Sequence, residues 1–138
     1  MRYARNTKVP VSKSRIEIET ILARYKCEQF GSAMAKDKAM VQFKMSTWLV
    51  RFVLPLPNNN EQDHRQRWRA LCLTIKAKLE AVESRITTFE EEFLPHLVMP
   101  SGQTFAEFAV PQLKDMREKG KMPDMDLLED HTGGRRTG

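Results

Sequence analysis

One change of rhythm constrains this chain more than any other feature. Apolar residues recur every three or four positions in the stretch ending at Tyr25, then every second position between Ala39 and Leu54, then every three or four again from Trp68 onward. A period of 3.6 belongs to a helix and a period of two to a strand. A chain that switches from one to the other and back is an α+β protein, with a sheet bracketed by helices.

The alternating part holds Ala39, Val41, Phe43 and Met45, then Trp48, Val50, Phe52 and Leu54. Tight turns fit at Lys36-Asp37 and at Ser46-Thr47. The pattern predicts a three-stranded antiparallel meander over 28–34, 38–45 and 48–54. Pro55 and Pro57 close it, because proline has no N–H to give to a ladder.

Before the sheet, "VSKSRIEIETILARY" predicts a helix over 14–25 with Ile18, Ile21, Leu22 and Tyr25 on its inner stripe. Ser14 and Glu17 match the S-x-x-E capping box, with Ser12 as the alternative cap. Pro10 argues against an earlier start. After the sheet, "RQRWRALCLTIKAKLEAVE" predicts a helix over 65–83. Leu71, Cys72, Ile75, Leu79 and Val82 fall within about 60° of Trp68 on its wheel. Arg65, Arg69 and Lys76 lie along one flank of that stripe and Arg67 and Lys78 along the other, where long stems cover apolar edges.

The remainder reads as a C-terminal helical segment. "ITTFEEEF" suggests a short helix capped by Thr87 with Glu90 or by Thr88 with Glu91. Ser101-Gly102 marks a turn. "TFAEFAVPQLKDMREKG" suggests a last helix with a Thr104–Glu107 box, a stop at Gly120 and a kink or split at Pro111. The expected architecture is one α+β domain over 1–125: a three-stranded antiparallel meander packed against the two main helices, with the helical segment at its end. Residues 126–138 offer little to bury and are expected to form a mobile tail. Val41, Phe43, Val50, Phe52, Trp68, Leu71, Ile75 and Leu79 are the expected core.

Chemistry is conspicuous by what the motifs lack. There is no Gly-rich phosphate loop, H-E-x-x-H, C-x-x-C or G-x-S-x-G. His64, His96 and His131 are scattered, and Glu90 and Glu91 diverge by about 100° on a helix, so they form no ready metal clamp. The sequence assembles no catalytic set and implies no metal and no cofactor, so the expectation is a protein that is not an enzyme. Cys27 and Cys72 are the only cysteines, which suggests a reducing compartment and leaves a disulfide open. No apolar run approaches the ~20 residues of a membrane span, and the basic start is followed by no apolar block, so a cytoplasmic location is expected.

Charge is informative through its placement. The net charge is +5, and residues 1–26 carry seven Lys/Arg against two Glu, while residues 84–138 carry seven against ten acids. A basic surface favours polyanions through phosphate contacts and counterion release. Phe43 and Phe52 sit on the apolar faces of their strands, as core residues and not as base-stacking platforms, and Gln42, Lys44 and Arg51 occupy the opposite faces. The expected contact residues are Arg2, Arg5, Lys8, Lys13, Arg15, Arg65 and Arg69, acting on phosphates with no base-reading motif beside them.

"MRYARNTKVPVSKSRIEIETILARY", "KAMVQFKM", "VRFVLPLP" and "RQRWRALCLTIKAKLEAVESRITTFEEEFLPHLVMPSGQT" together resemble a family of small proteins common in bacteriophage and prophage genomes. The resemblance covers about residues 1–110, and "VRFVLPLP" and "ITTFEEEF" are its specific phrases. Two departures stand out: a loop shortened to "NNNEQDH", and Ser101-Gly102 in place of an Asp-Gly turn. The resemblance brings no catalytic residue or cofactor. It implies a phage-derived accessory protein in a bacterial cytoplasm, whose partner is nucleic acid or a host nucleic-acid-handling complex. Inhibition of a host antiviral, replication or transcription machine, or a structural part in a phage assembly, are the alternatives.

Overall fold

The computed structural model of the chain describes residues 4–125. Arg2, His131 and the expected tail at 126–138 lie outside the described residues. The chain divides into two compact units, Met1–Phe108 and Ala109–Gly138, where the sequence suggested one over 1–125.

The first unit is the expected α+β layer. Helix α1 (Val11–Arg24) leads into strands β1 (Gln29–Met34), β2 (Lys38–Met45) and β3 (Trp48–Pro55), followed by α2 (Glu61–Glu83). The sheet is antiparallel in the order β1-β2-β3. Phe43 faces Phe30 on one side and Val50 on the other, and Val41 faces Ser32 and Phe52. A short α3 (Phe89–Phe93) and a 3-10 turn at Leu94–His96 then bring the chain back to β3. There Leu97 bridges to Val50, and the Val98 N–H donates to the Leu49 carbonyl at 2.8 Å. This short return segment closes the β3 edge, while no described residue pairs with the outer edge of β1.

All eight expected core residues are buried, with Trp68, Phe43, Val41, Val50 and Ile75 at 1% exposure or less. They pack with Ile18, Leu22, Cys72 and Phe93 in one cluster. Phe93 meets Phe43 and Phe52 edge-on, at 6.0 and 6.4 Å between ring centroids. Such T-shaped contacts suit the ring quadrupoles, and they anchor α3 under the sheet.

Helices α1 and α2 run side by side in the same direction. The residue matches rise together: Thr7 with Gln62, Glu17 with Arg69 and Cys72, Tyr25 with Glu80 and Glu83.

Two local expectations need correction. Helix α1 starts at Val11 behind Pro10, not at a Ser14 cap; no side chain caps it, and Ser14 is fully buried in the helix interior. Proline supplies the fixed φ of −61° and the carbonyl that accepts from the Lys13 and Ser14 N–H groups, while Ser14 is drawn into the inner stripe with Ile18 and Leu22. Helix α2 starts at Glu61, earlier than expected, because Asn60 caps it by accepting from the Asp63 N–H at 3.1 Å. Of the two outcomes expected at Pro111, the split does not occur: helix α4 (Phe105–Lys119) runs through it.

Other local expectations hold. Thr88 accepts from the Glu91 N–H at 3.2 Å. Thr104 and Glu107 form the reciprocal box, with N–H donations of 2.9 and 3.2 Å. Gly102 takes φ +92° in its turn. The Gly120 N–H closes α4 onto the Met116 carbonyl at 2.8 Å.

Within the second unit, α4 buries none of its side chains. Val110, Leu113 and Met116 stay 42%, 59% and 60% exposed.

Candidate polyanion-binding surface

Gln62 ties the N-terminal segment to the start of α2. Its Nε2 donates to the Thr7 carbonyl at 2.8 Å, and its Oε1 accepts from the Arg65 guanidinium at 2.6 and 3.2 Å. Residues 5–8 therefore lie along the first turns of α2, and Arg5 and Lys8 share a region with Arg65. The sequence offered no signal for this bridge, since periodicity assigned Gln62 to the loop "NNNEQDH".

The structure sorts the six expected contact residues that are described into two groups. Arg65 is engaged: it pairs with Glu61 at 2.8 Å as well as with Gln62. Arg69 pairs with Glu17 at 3.1 Å across the α1–α2 seam. Arg5, Lys8, Lys13 and Arg15 are exposed, and their side chains make no ion pair or hydrogen bond among the described residues.

These four do not form a single face. Lys13 lies one turn before Glu17, on the flank of α1 that meets α2. Arg15, two residues on, is rotated by about 200° to the other flank.

Glu17 is the hub of that seam. Its Oε2 accepts from Arg69 and, at 3.2 Å, from the Cys72 thiol. Hydrogen bonding from Arg69 holds the Glu17 carboxyl below the usual carboxylate range, helped by the Cys72 bond and the charges of Arg69 and Lys76, while partial burial opposes the shift. The Cys72 thiol is fully buried, and burial together with the adjacent carboxylate pushes it up to about 12. A thiol in that state is no nucleophile. Cys27 is also a free thiol, half-buried, and donates to the Gln29 carbonyl at 2.9 Å.

A second basic area lies on the sheet. Side chains alternate across strands, so the helix-facing set Ala39, Val41, Phe43 and Met45 leaves Lys38, Met40, Gln42 and Lys44 on the other face. Leu49, Arg51 and Val53 share that face by register. The strand positions there hold three cations and no acid. Arg51 is fixed by Gln42 Oε1 at 2.8 Å and the Gly102 carbonyl at 2.8 Å. Phe43 and Phe52 are buried on the opposite side, so no strand aromatic is available on this face for base stacking.

His96 stacks on Phe52 with ring centroids 3.9 Å apart. Burial, with the nearby Lys78 charge, lowers its pKa, against a hydrogen bond that the imidazole donates to the Arg51 backbone carbonyl. Among the described residues no group of three or more His, Cys, Asp or Glu is placed to hold a metal ion. No described helix is long and apolar enough to cross a membrane. The chain matches no family model, no curated protein and no solved structure.

Proposed function

We propose that this is a non-enzymatic accessory protein, of the phage or prophage kind its sequence resembles, that binds nucleic acid through phosphate contacts. One observation carries the reading: Arg5, Lys8, Lys13 and Arg15 are exposed with no acidic partner among the described residues, while Arg65 and Arg69 are neutralised within the fold. Free cations release counterions from a polyanion, whereas paired ones must first break an ion pair. Arg65 and Arg69 then serve as scaffold, holding the α2 start and the α1–α2 seam. The sheet-face cations Lys38, Lys44 and Arg51 extend the positive surface without reading sequence.

The experiment is direct binding of the purified protein to mixed-sequence duplex DNA, single-stranded DNA and RNA over a salt titration. The reading expects an affinity that falls linearly in log–log form with salt and varies little with sequence. Absence of binding to all three at low salt contradicts it.

A second reading is favoured by the exposed Val110, Leu113 and Met116 stripe of α4, flanked by Lys114 and Arg117. An amphipathic helix with a free apolar face suits a protein partner that offers a groove. Under this reading the protein inhibits a nucleic-acid-handling complex of the host. Capture of one defined complex from nuclease-treated host lysate, lost on Leu113→Asp with Met116→Asp, separates this reading from the first.

A further inference from the structure

The sheet face turned away from α1 and α2 carries a trough. Gln29, Gly31, Ala33, Lys38 and Lys44 are exposed there, and so are Leu49 and Val53. Two depressions lie along β1 and β2 on this face. One, about 470 Å³, is lined by Gln29, Gly31, Gln42, Lys44 and Leu49. The other, about 190 Å³, is lined by Gly31, Ala33, Met40 and Gln42. They meet at Gly31 and Gln42, which stand opposite each other in the β1–β2 ladder. From residue 29 to residue 33 the trough follows the strand for about 14 Å.

Gly31 keeps the trough open. It lies in regular strand backbone, outside the left-handed region that favours glycine. The register runs through it unbroken, so it marks no bulge. A Cβ at this position would meet no atom within 4 Å. Neither conformation nor packing therefore calls for glycine here, although glycine weakens a strand. A strand glycine without a structural task marks a place where a ligand approaches the backbone.

The charge beside the trough says what the ligand carries. Arg51 is held by neutral acceptors, Gln42 Oε1 and the Gly102 carbonyl, both at 2.8 Å. Glu107 feels its charge, but that carboxylate accepts from the Thr104 N–H. Lys44 lies diagonally across from Arg51 in the β2–β3 ladder, about 7–8 Å away at the backbone. Neither cation has an ion-pair partner among the described residues, and the outward strand positions hold no acid.

We propose that the trough binds a short unpaired segment of nucleic acid, with phosphates on Lys44 and Arg51 and bases laid over Gly31. This rests on the reading of the protein as a nucleic-acid binder and adds the form of nucleic acid that the sheet takes. A duplex keeps its bases paired and stacked inside, and cannot lower one into the trough. An unpaired strand can splay its bases onto a protein surface. Leu49 and Met40 offer apolar contact to base faces, which any base can use, so the site has little sequence preference. The trough lies on the opposite face of the sheet from α1, apart from Lys13 and Arg15.

The test is binding of the full chain to a mixed-sequence DNA single strand of about ten nucleotides, and to a duplex of the same sequence. Gly31→Val fills the trough with a side chain that suits a strand. Its urea midpoint should equal or exceed that of the wild type. Its affinity for the single strand should fall by about tenfold or more, with duplex affinity unchanged. Lys44→Ala should lower the salt slope on the single strand by about 0.7, the value for one lost phosphate contact. It leaves the strand backbone as it is, and decides the matter if the valine lowers the midpoint. Single-strand binding that neither variant changes overturns the trough and leaves the nucleic-acid reading standing. So does a wild type that binds duplex but no single strand, or a folded Gly31→Val protein that loses both forms equally. A wild type that binds neither form overturns both readings.

Discussion

Arg69 and Glu17 meet at 3.1 Å across the seam between α1 and α2, with the Cys72 thiol bonded to the same carboxylate oxygen. The pair joins two helices separated in sequence by the whole meander. It converts an arginine that looks like a phosphate ligand in the sequence into a part of the fold. The balance of forces at this seam sets the first prediction.

Ile75→Ala should cost about 2–5 kcal/mol, because it empties a site of 0% exposure at the centre of the α2 stripe. Arg69→Ala should cost only about 1 kcal/mol, since both partners keep partial contact with solvent. Urea denaturation of the two variants reads the difference; an Arg69 variant as damaged as the Ile75 variant would mean that the seam, not the apolar stripe, dominates stability.

Ser14 tests the account of α1. Its Oγ is buried with no hydrogen-bond partner among the described residues, so the polar atom is desolvated without compensation. Ser14→Ala should be neutral or stabilise by up to about 1 kcal/mol. A capping serine behaves in the opposite way and loses about 1 kcal/mol on the same change. The sign of the shift in urea midpoint decides between a buried stripe residue and a cap.

Ser46 and Thr47 join β2 to β3 with φ of 53° and 70°, a two-residue turn with both residues left-handed. A β-branched residue is strained there. Thr47→Gly should therefore stabilise the protein by roughly 0.5–1 kcal/mol, after allowance for the freer unfolded chain. Thermal melts check it, and a lower melting temperature would contradict it.

The two thiols should differ in reactivity. Cys72 is fully buried with its thiol pushed up to about 12, and Cys27 is half-buried with burial raising its thiol more modestly. Under native conditions an alkylating reagent should modify Cys27 slowly and Cys72 only after unfolding. Mass spectrometry of peptides from a native labelling time course reads this; early labelling of Cys72 would show that the α1–α2 seam opens.

Acid should weaken the fold in two steps. His96 has a lowered pKa in the folded state, so the unfolded chain binds its proton first. Its contribution is complete above the ordinary histidine value of 6.5 and is lost as pH falls from there through the folded value. Glu17 is also lowered, so its contribution is present above 4.5 and is lost as pH falls further through its folded value. Stability measured from pH 8 downward should decline first near 6.5, and His96→Gln should remove that first decline while leaving the second.

Much of the fold was legible because period alone separates strand from helix and inner face from outer. The strands, to within one residue at their ends, the Ser46-Thr47 turn and the Trp68–Ile75–Leu79 stripe follow from residue spacing, and the structure places them there. The start of α1 was not legible, because Ser14-x-x-Glu17 has the spacing of a cap and tertiary packing gives both residues other tasks. The candidate site was only half legible. Sequence shows which residues carry charge, but pairing is a matter of three dimensions. Glu17 lies 52 positions from Arg69, and nothing local marks it as the residue that neutralises that arginine.

The most direct test of the central claim is the salt slope of nucleic-acid affinity for two paired variants. Lys13→Ala with Arg15→Ala removes two free cations from the surface of α1. Arg65→Ala with Arg69→Ala removes two that the fold already neutralises. The account predicts that the first pair lowers the log–log slope by about 0.9 per lost phosphate contact on duplex DNA, and that the second leaves the slope near wild type. A slope unchanged by the first pair and reduced by the second would contradict it.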